Sequence, residues 1–178
     1  MTRSPTALLA LTLAATLAPG AAGASVHAVT LVLAPEGYAE VFGTLGGQPR
    51  VRLPFLRAYD AAGRRFLEIT GYDPRFLASL RAIVGRPRPD PAFRLADELR
   101  HLRTPAGGPA PDLPPADLTF VKYWAEWCAP CKPQSRDLES FFAERPELRF
   151  NLLAVEADTT KPGPGAVGAA PRRREGGR

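Results

Sequence analysis

The chain has 178 residues, 45% of them hydrophobic, with 20 prolines and 16 glycines. That is enough for one ordinary domain with its own core, but too much Pro and Gly for a chain that packs along its whole length, so linkers and tails are expected. The net charge of +5 does not point to nucleic acid: the arginines are scattered or lie in Pro/Gly-rich stretches, with no basic face interleaved with aromatics.

In chain order, residues 1–24 read as a signal peptide. Arg3 gives a positive start, residues 7–17 an apolar run, and Ala22-Gly23-Ala24 a small-residue cleavage site. The run is well short of the roughly 20 residues that span a bilayer, and Pro19-Gly20 keeps it from extending further. Cleavage after Ala24 is expected, which makes the mature protein periplasmic or secreted, with membrane contact only through the transient signal peptide.

Residues 26–33 form a β-rich apolar run ended by Pro35-Glu36-Gly37 and read as a buried strand. Residues 38–45 are ambiguous. Residues 51–59, which contain Pro54, the turn Asp60-Ala61-Ala62-Gly63, and residues 65–69 read as a hairpin. Asp73-Pro74 supplies an N-cap and first-turn proline to a helix that puts Phe76, Leu77, Leu80, Ile83 and Val84 on one face, up to Gly85. A proline-broken connector at 86–91 leads to a short helix at 93–102 with Leu95, Leu99 and Leu102 on one stripe, then a Pro/Gly-rich linker at 104–115.

Residues 118–124 are strand-like. From Cys131 a helix is expected to run to Arg145, with Leu138, Phe141 and Phe142 inward and Pro146 ending it. Residues 148–155 form another strand, and residues 161–178 are too rich in Gly, Pro and Arg to fold. The regions are therefore a signal peptide (1–24), a strand–hairpin–helix region (25–85), a Pro-rich connector with a short helix (86–115), a cysteine-bearing half (116–160) and a disordered tail (161–178).

The two cysteines of the chain, Cys128 and Cys131, form one Cys-x-x-Cys unit. Closing so short a loop removes little entropy from the unfolded chain, so reactivity is a better reason for the pair than stability. A strand feeding a helix through this unit puts Cys128 at the helix N-terminus, where free N–H groups and the helix dipole favour a thiolate. Cys128 is then the nucleophile, and Cys131, nearly one turn later, the resolving thiol. Pro130 fixes the backbone entering the helix, Lys132 adds positive charge, and Trp127 and Trp124 offer an apolar shield and docking surface, although core packing explains Trp124 equally well. A closed zinc site needs four ligands, and neither His27 nor His101 lies at ligand spacing from the pair, while Met1 leaves with the signal peptide. No metal or other cofactor is expected.

The segment Tyr123-Trp124-Ala125-Glu126-Trp127-Cys128-Ala129-Pro130-Cys131-Lys132 closely resembles the active site of the thioredoxin family, and its Ala-Pro dipeptide is similar to that of exported thioredoxin-like reductases. The resemblance covers residues 118–158. It implies an α/β/α three-layer sandwich and a thiol-disulfide oxidoreductase whose partners are cysteine-containing client proteins and a redox partner thiol protein. A thioredoxin-like binding or chaperone module with a vestigial or structural cysteine pair is the alternative.

Two departures stand out. Soluble thioredoxins carry a buried acidic residue where this chain has Lys122. Glu156 on the following strand is expected either to pair with Lys122 or to relay protons itself, unless both are simply exposed. The chain also ends before a full fold is complete, yet the missing half resembles residues 26–84, with Leu53-Pro54 in the cis-proline position. A permuted order that brings Pro54 beside Cys128 is the expectation. Its competitors are a separate α+β N-terminal domain followed by a truncated thioredoxin module, and Pro54 as an ordinary edge-strand proline.

Overall fold

The computed structural model describes residues 24–45, 48–49 and 51–157. All but the last residue of the expected signal peptide, and the expected disordered tail, lie outside the described residues. In chain order the elements are β1 (Ser25–Leu33), α1 (Gly37–Phe42), β2 (Thr44–Leu45), β3 (Gln48–Pro49), β4 (Phe55–Asp60), β5 (Arg64–Thr70), α2 (Phe76–Val84), β6 (Asp90–Arg94), α3 (Leu95–Leu99), β7 (Leu102–Arg103), β8 (Leu118–Trp124), α4 (Cys131–Ala143) and β9 (Arg149–Glu156). Apart from the small β2–β3 pair, the strands form one mixed sheet in the order β6-β5-β4-β8-β9-β1-β7. β8 and β9 run parallel, as do β9 and β1, whereas β4 pairs antiparallel with both β8 and β5.

The N-terminal region and the cysteine-bearing half are therefore not separate units, because the β4–β5 hairpin lies directly against β8 within one sheet. Phe55 pairs with Tyr123 and Leu56 with Lys122. The alternation of side chains along the central strands divides the core in two. Leu118 and Phe120 face α2 and α4 with Leu56, Leu80, Leu138, Phe141, Phe142 and Phe150. Val121 and Tyr123 face α1 and α3 with Leu31, Leu33, Phe55, Tyr59, Leu153 and Val155. Burial on both sides is why residues 118–124 read as a continuous apolar run rather than an alternating one.

The expectation of a buried strand at 26–33 needs correction: of β1, only Leu31 and Leu33 are buried, and most of its first half is exposed. β9 covers one edge of the whole strand, but β7 reaches only Val32 and Leu33 on the other. The ambiguous residues 38–45 fold as most of α1 followed by β2. Helix α2 starts at Phe76 rather than at the Asp73-Pro74 N-cap, and the Asp73 carboxylate instead accepts the Arg75 N–H at 2.6 Å in the turn before it.

The expected 93–102 helix shrinks to the five residues of α3. Phe93 belongs to β6, where the Arg65 guanidinium lies 3.6 Å from its ring centroid, and Leu102 pairs with Leu33. Cross-strand pairing outcompetes helix propensity at both ends of that segment. Nor is 104–115 a free linker, since Ala110 and Leu113 pack on the core and the Pro114 carbonyl accepts a hydrogen bond from Asn151 at 3.0 Å.

Candidate functional site

β8 delivers the chain into a tight turn that ends at the first residue of α4. The Cys128 N–H donates to the Ala125 carbonyl at 3.1 Å, and the Cys131 N–H to the Cys128 carbonyl at 3.0 Å. Pro130 is the N-cap residue, already in helical geometry with φ −71° and ψ −10°. Its fixed ring makes that entry angle the default one. Pro133 then sits in the first turn, where a missing N–H costs no intrahelical bond. Cys128 and Cys131 are joined as a disulfide with their Cα atoms 5.4 Å apart. Both are buried.

Around the pair, Ala125, Leu53 and Trp124 make a small apolar cluster. Leu53 comes from the loop that enters β4. The Leu53–Pro54 peptide is cis, Pro54 is buried, and its carbonyl accepts the Gly71 N–H at 2.7 Å, which ties the loop to the end of β5. The sheet thus carries a segment distant in sequence to the cysteines. Trp127 is 55% exposed beside them, and Pro130 and Lys132 are exposed too. Trp124 is half-buried against the pair and ends β8 opposite Glu156.

Lys122 is not a surface residue. It is 8% exposed on the face of β8 that looks toward α4, and its ammonium donates to the Ser135 hydroxyl. Ser135 Oγ donates in turn to the Cys131 carbonyl at 3.0 Å, one helical turn back. Burial pulls the Lys122 pKa below the ordinary lysine range, and the Glu139 carboxylate on α4 offsets part of that. The structure thus links Lys122 to Ser135 and, electrostatically, to Glu139. In register, Lys122 lies opposite Ala154, two residues before Glu156.

Ser135 and Gln134 were not visible as site residues in the sequence. Gln134 is fully buried on the inner face of α4, and its amide oxygen and nitrogen have no hydrogen-bond partner among the described residues. A polar residue three positions after Cys131, on the stripe that continues to Leu138, was the available clue.

A second polar centre lies on the opposite face of the sheet. Glu98, the buried residue of α3, accepts hydrogen bonds from Arg57 Nη1 and the Tyr59 hydroxyl, both at 2.7 Å, and from the Tyr123 hydroxyl. Burial pushes both tyrosines upward, and the Glu98 charge adds to the shift. Burial alone would lower the Arg57 pKa, but the Glu98 carboxylate, together with smaller contributions from Tyr123 and Tyr59, outweighs it and leaves it raised. This cluster ties α3 to β4 and to the end of β8, next to Trp124.

Compared with family models, curated proteins and solved structures, the chain matches none. Among the described residues, no group of three or more His, Cys, Asp or Glu could hold a metal ion, and no helix is long and apolar enough to cross a membrane.

Proposed function

We propose that this chain is an extracytoplasmic thiol-disulfide oxidoreductase of thioredoxin-like architecture, with the two halves of the fold in exchanged chain order. The observation that carries the reading is the Cys128–Cys131 pair at the junction of β8 and α4, with exposed Trp127 on one side and the Leu53–Pro54 loop on the other. A helix, a strand entered through a proline, its hairpin partner and a final amphipathic helix are the elements expected after β9. The reading is supported by β4, β5 and α2, which match the last three of these in order, with β4 paired to β8.

The chemistry needs only the two sulfurs. In the dithiol form, the Cys128 thiolate attacks one sulfur of a client disulfide, an S–S bond forms between protein and client, and the other client sulfur leaves as a thiolate that takes up a proton. Cys131 then attacks Cys128, the intramolecular disulfide forms, and the second client sulfur leaves reduced. Run backwards, the same steps oxidise a client dithiol. The reduction potentials of the two partners set the direction.

Insulin reduction with dithiothreitol as electron source tests the reading. The wild-type protein is expected to accelerate precipitation of the insulin B chain, and Cys128→Ser to abolish the effect. Equal behaviour of the two proteins, in this assay and in oxidation of a reduced client, would leave a binding module with an inert cysteine pair.

A further inference from the structure

We propose that the open edge of β1, residues 25–31, is an interface between two copies of this chain, which pair β1 to β1 antiparallel and continue the sheet from one copy into the other. The inference does not depend on the oxidoreductase reading.

On one side, β9 pairs with β1 from Ser25 to Val32 without a shift of register. On the other, β7 reaches only Val32 and Leu33, so among the described residues no strand lies against that side of Ser25 to Leu31. A free strand edge presents unpaired N–H and C=O groups and is a template for another strand. The opposite edge of the sheet is protected against this. β6 is five residues long, opens with Asp90-Pro91, ends at Arg94 and meets β5 in an irregular register. β1 has none of these devices: residues 25–31 contain no proline and no Lys, Arg, Asp or Glu.

Position and charge point to a second copy as the occupant. Trp124, which leads into the cysteine turn, is level with Glu156 and Val32, whereas the open edge runs the other way, toward Ser25 level with Arg149. β1 also lies two strands from β8, so the edge is no part of a client's path to Cys128. A strand that pairs with itself must carry no charge near the axis, because each charge would face its own like. A two-fold axis at Ala28 sets Val26 against Thr30 on one face and His27 against Val29 on the other. Each pair thus contains a β-branched side chain, and no like charges meet. On the axis, exposed Ala28 meets its own copy beside the half-buried Leu152 of β9.

Sedimentation velocity of the full chain tests the inference. So short an edge makes a small interface, so weak, reversible dimerisation is expected, with mean mass rising between about 1 and about 100 μM. Ala28→Lys and Ala28→Glu each place two like charges on the axis; each alone is expected to stay monomeric, and an equimolar mixture of the two to dimerise. Wild type that stays monomeric throughout, or an association that neither charged variant weakens, would overturn the inference. Ala28→Cys in a chain that also carries Cys128→Ser and Cys131→Ser decides the matter alone if the charged variants do not fold. Residues paired across an antiparallel axis lie about 4.5–5.5 Å apart at Cα, within disulfide reach, so oxidation is expected to yield a covalent dimer. A thiol that stays free would overturn the inference.

Discussion

Glu98 is the residue whose loss the structure makes most costly away from the cysteines. Its side chain is 5% exposed and that of Arg57 11%, with Nη1 2.7 Å from the carboxylate. Removing one partner of a buried pair costs about 3–5 kcal/mol, because the other charge stays buried without compensation. Arg57 keeps the Val41 carbonyl at 3.0 Å and Glu68 at 3.1 Å, which pulls the figure toward the lower end. The Tyr59 and Tyr123 hydroxyls, however, lose their acceptor, and each buried hydroxyl left unpaired costs about 1–3 kcal/mol. Glu98→Ala is therefore expected to destabilise by about 5 kcal/mol or more, comparable to the roughly 5–15 kcal/mol typical of a whole domain. Urea unfolding would show this as a fall in the midpoint at unchanged slope. The double change Glu98→Leu with Arg57→Met, which removes both charges, should recover the part of the loss due to the uncompensated Arg57 charge but not the part due to the two unpaired tyrosine hydroxyls. A Glu98→Ala cost below about 1 kcal/mol would refute the reasoning, since that is what an exposed pair gives.

The same structure sets four further outcomes. Phe141→Ala, in the cluster with Phe120, Phe142 and Phe150, is expected to cost about 3–5 kcal/mol in thermal or urea unfolding. Lys122 has a lowered pKa in the folded state, so the native protein binds fewer protons than the unfolded chain between that value and the ordinary lysine range, and wild-type stability rises with pH across the window. Lys122→Met should therefore be more stable than wild type at pH 7, with the gap closing as pH rises through the lysine range near about 10.4; a pH-independent gap would contradict it. Trp127→Ala should leave stability within about 0.5 kcal/mol, because the side chain is largely exposed, while slowing insulin reduction severalfold. Reducing the Cys128–Cys131 disulfide, whose sequence separation is 3, should lower stability by no more than about 2 kcal/mol, measured as the shift in urea midpoint with excess reductant.

Much of this was legible because local pattern and tertiary environment agree in the cysteine half. Residues 118–124 fold as the strand read from their apolar run, and Leu138, Phe141 and Phe142 point inward as the helical period requires. The hairpin around Asp60-Ala61-Ala62-Gly63 was equally readable, because the Asp60 carboxylate accepts the Ala62 and Arg64 N–H groups and Gly63 takes φ +69°. Legibility failed where long-range pairing decided the outcome. Leu102 left its expected helix for an edge pairing with Leu33, and Phe93 for the one that β6 makes with β5. Around the candidate site, the Cys-x-x-Cys unit carries its own chemistry in sequence, but the buried polar groups near it do not. Lys122 is buried because β8 lies between β4 and β9 under α4, and Ser135 meets it only through that packing. Glu98 was hidden for the same reason: in a short polar-looking helix, nothing local marks one acidic residue as the acceptor for Arg57 and two tyrosines.

The central claim, that Cys128 attacks protein disulfides and Cys131 resolves them, is tested most directly by trapping with Cys131→Ala. Incubated with an extract of extracytoplasmic proteins and resolved without reductant, this variant is expected to accumulate discrete adducts that dithiothreitol releases and that disappear when Cys128→Ser is added. Adducts that survive the Cys128→Ser change, or none above the level seen for the double variant, would contradict it.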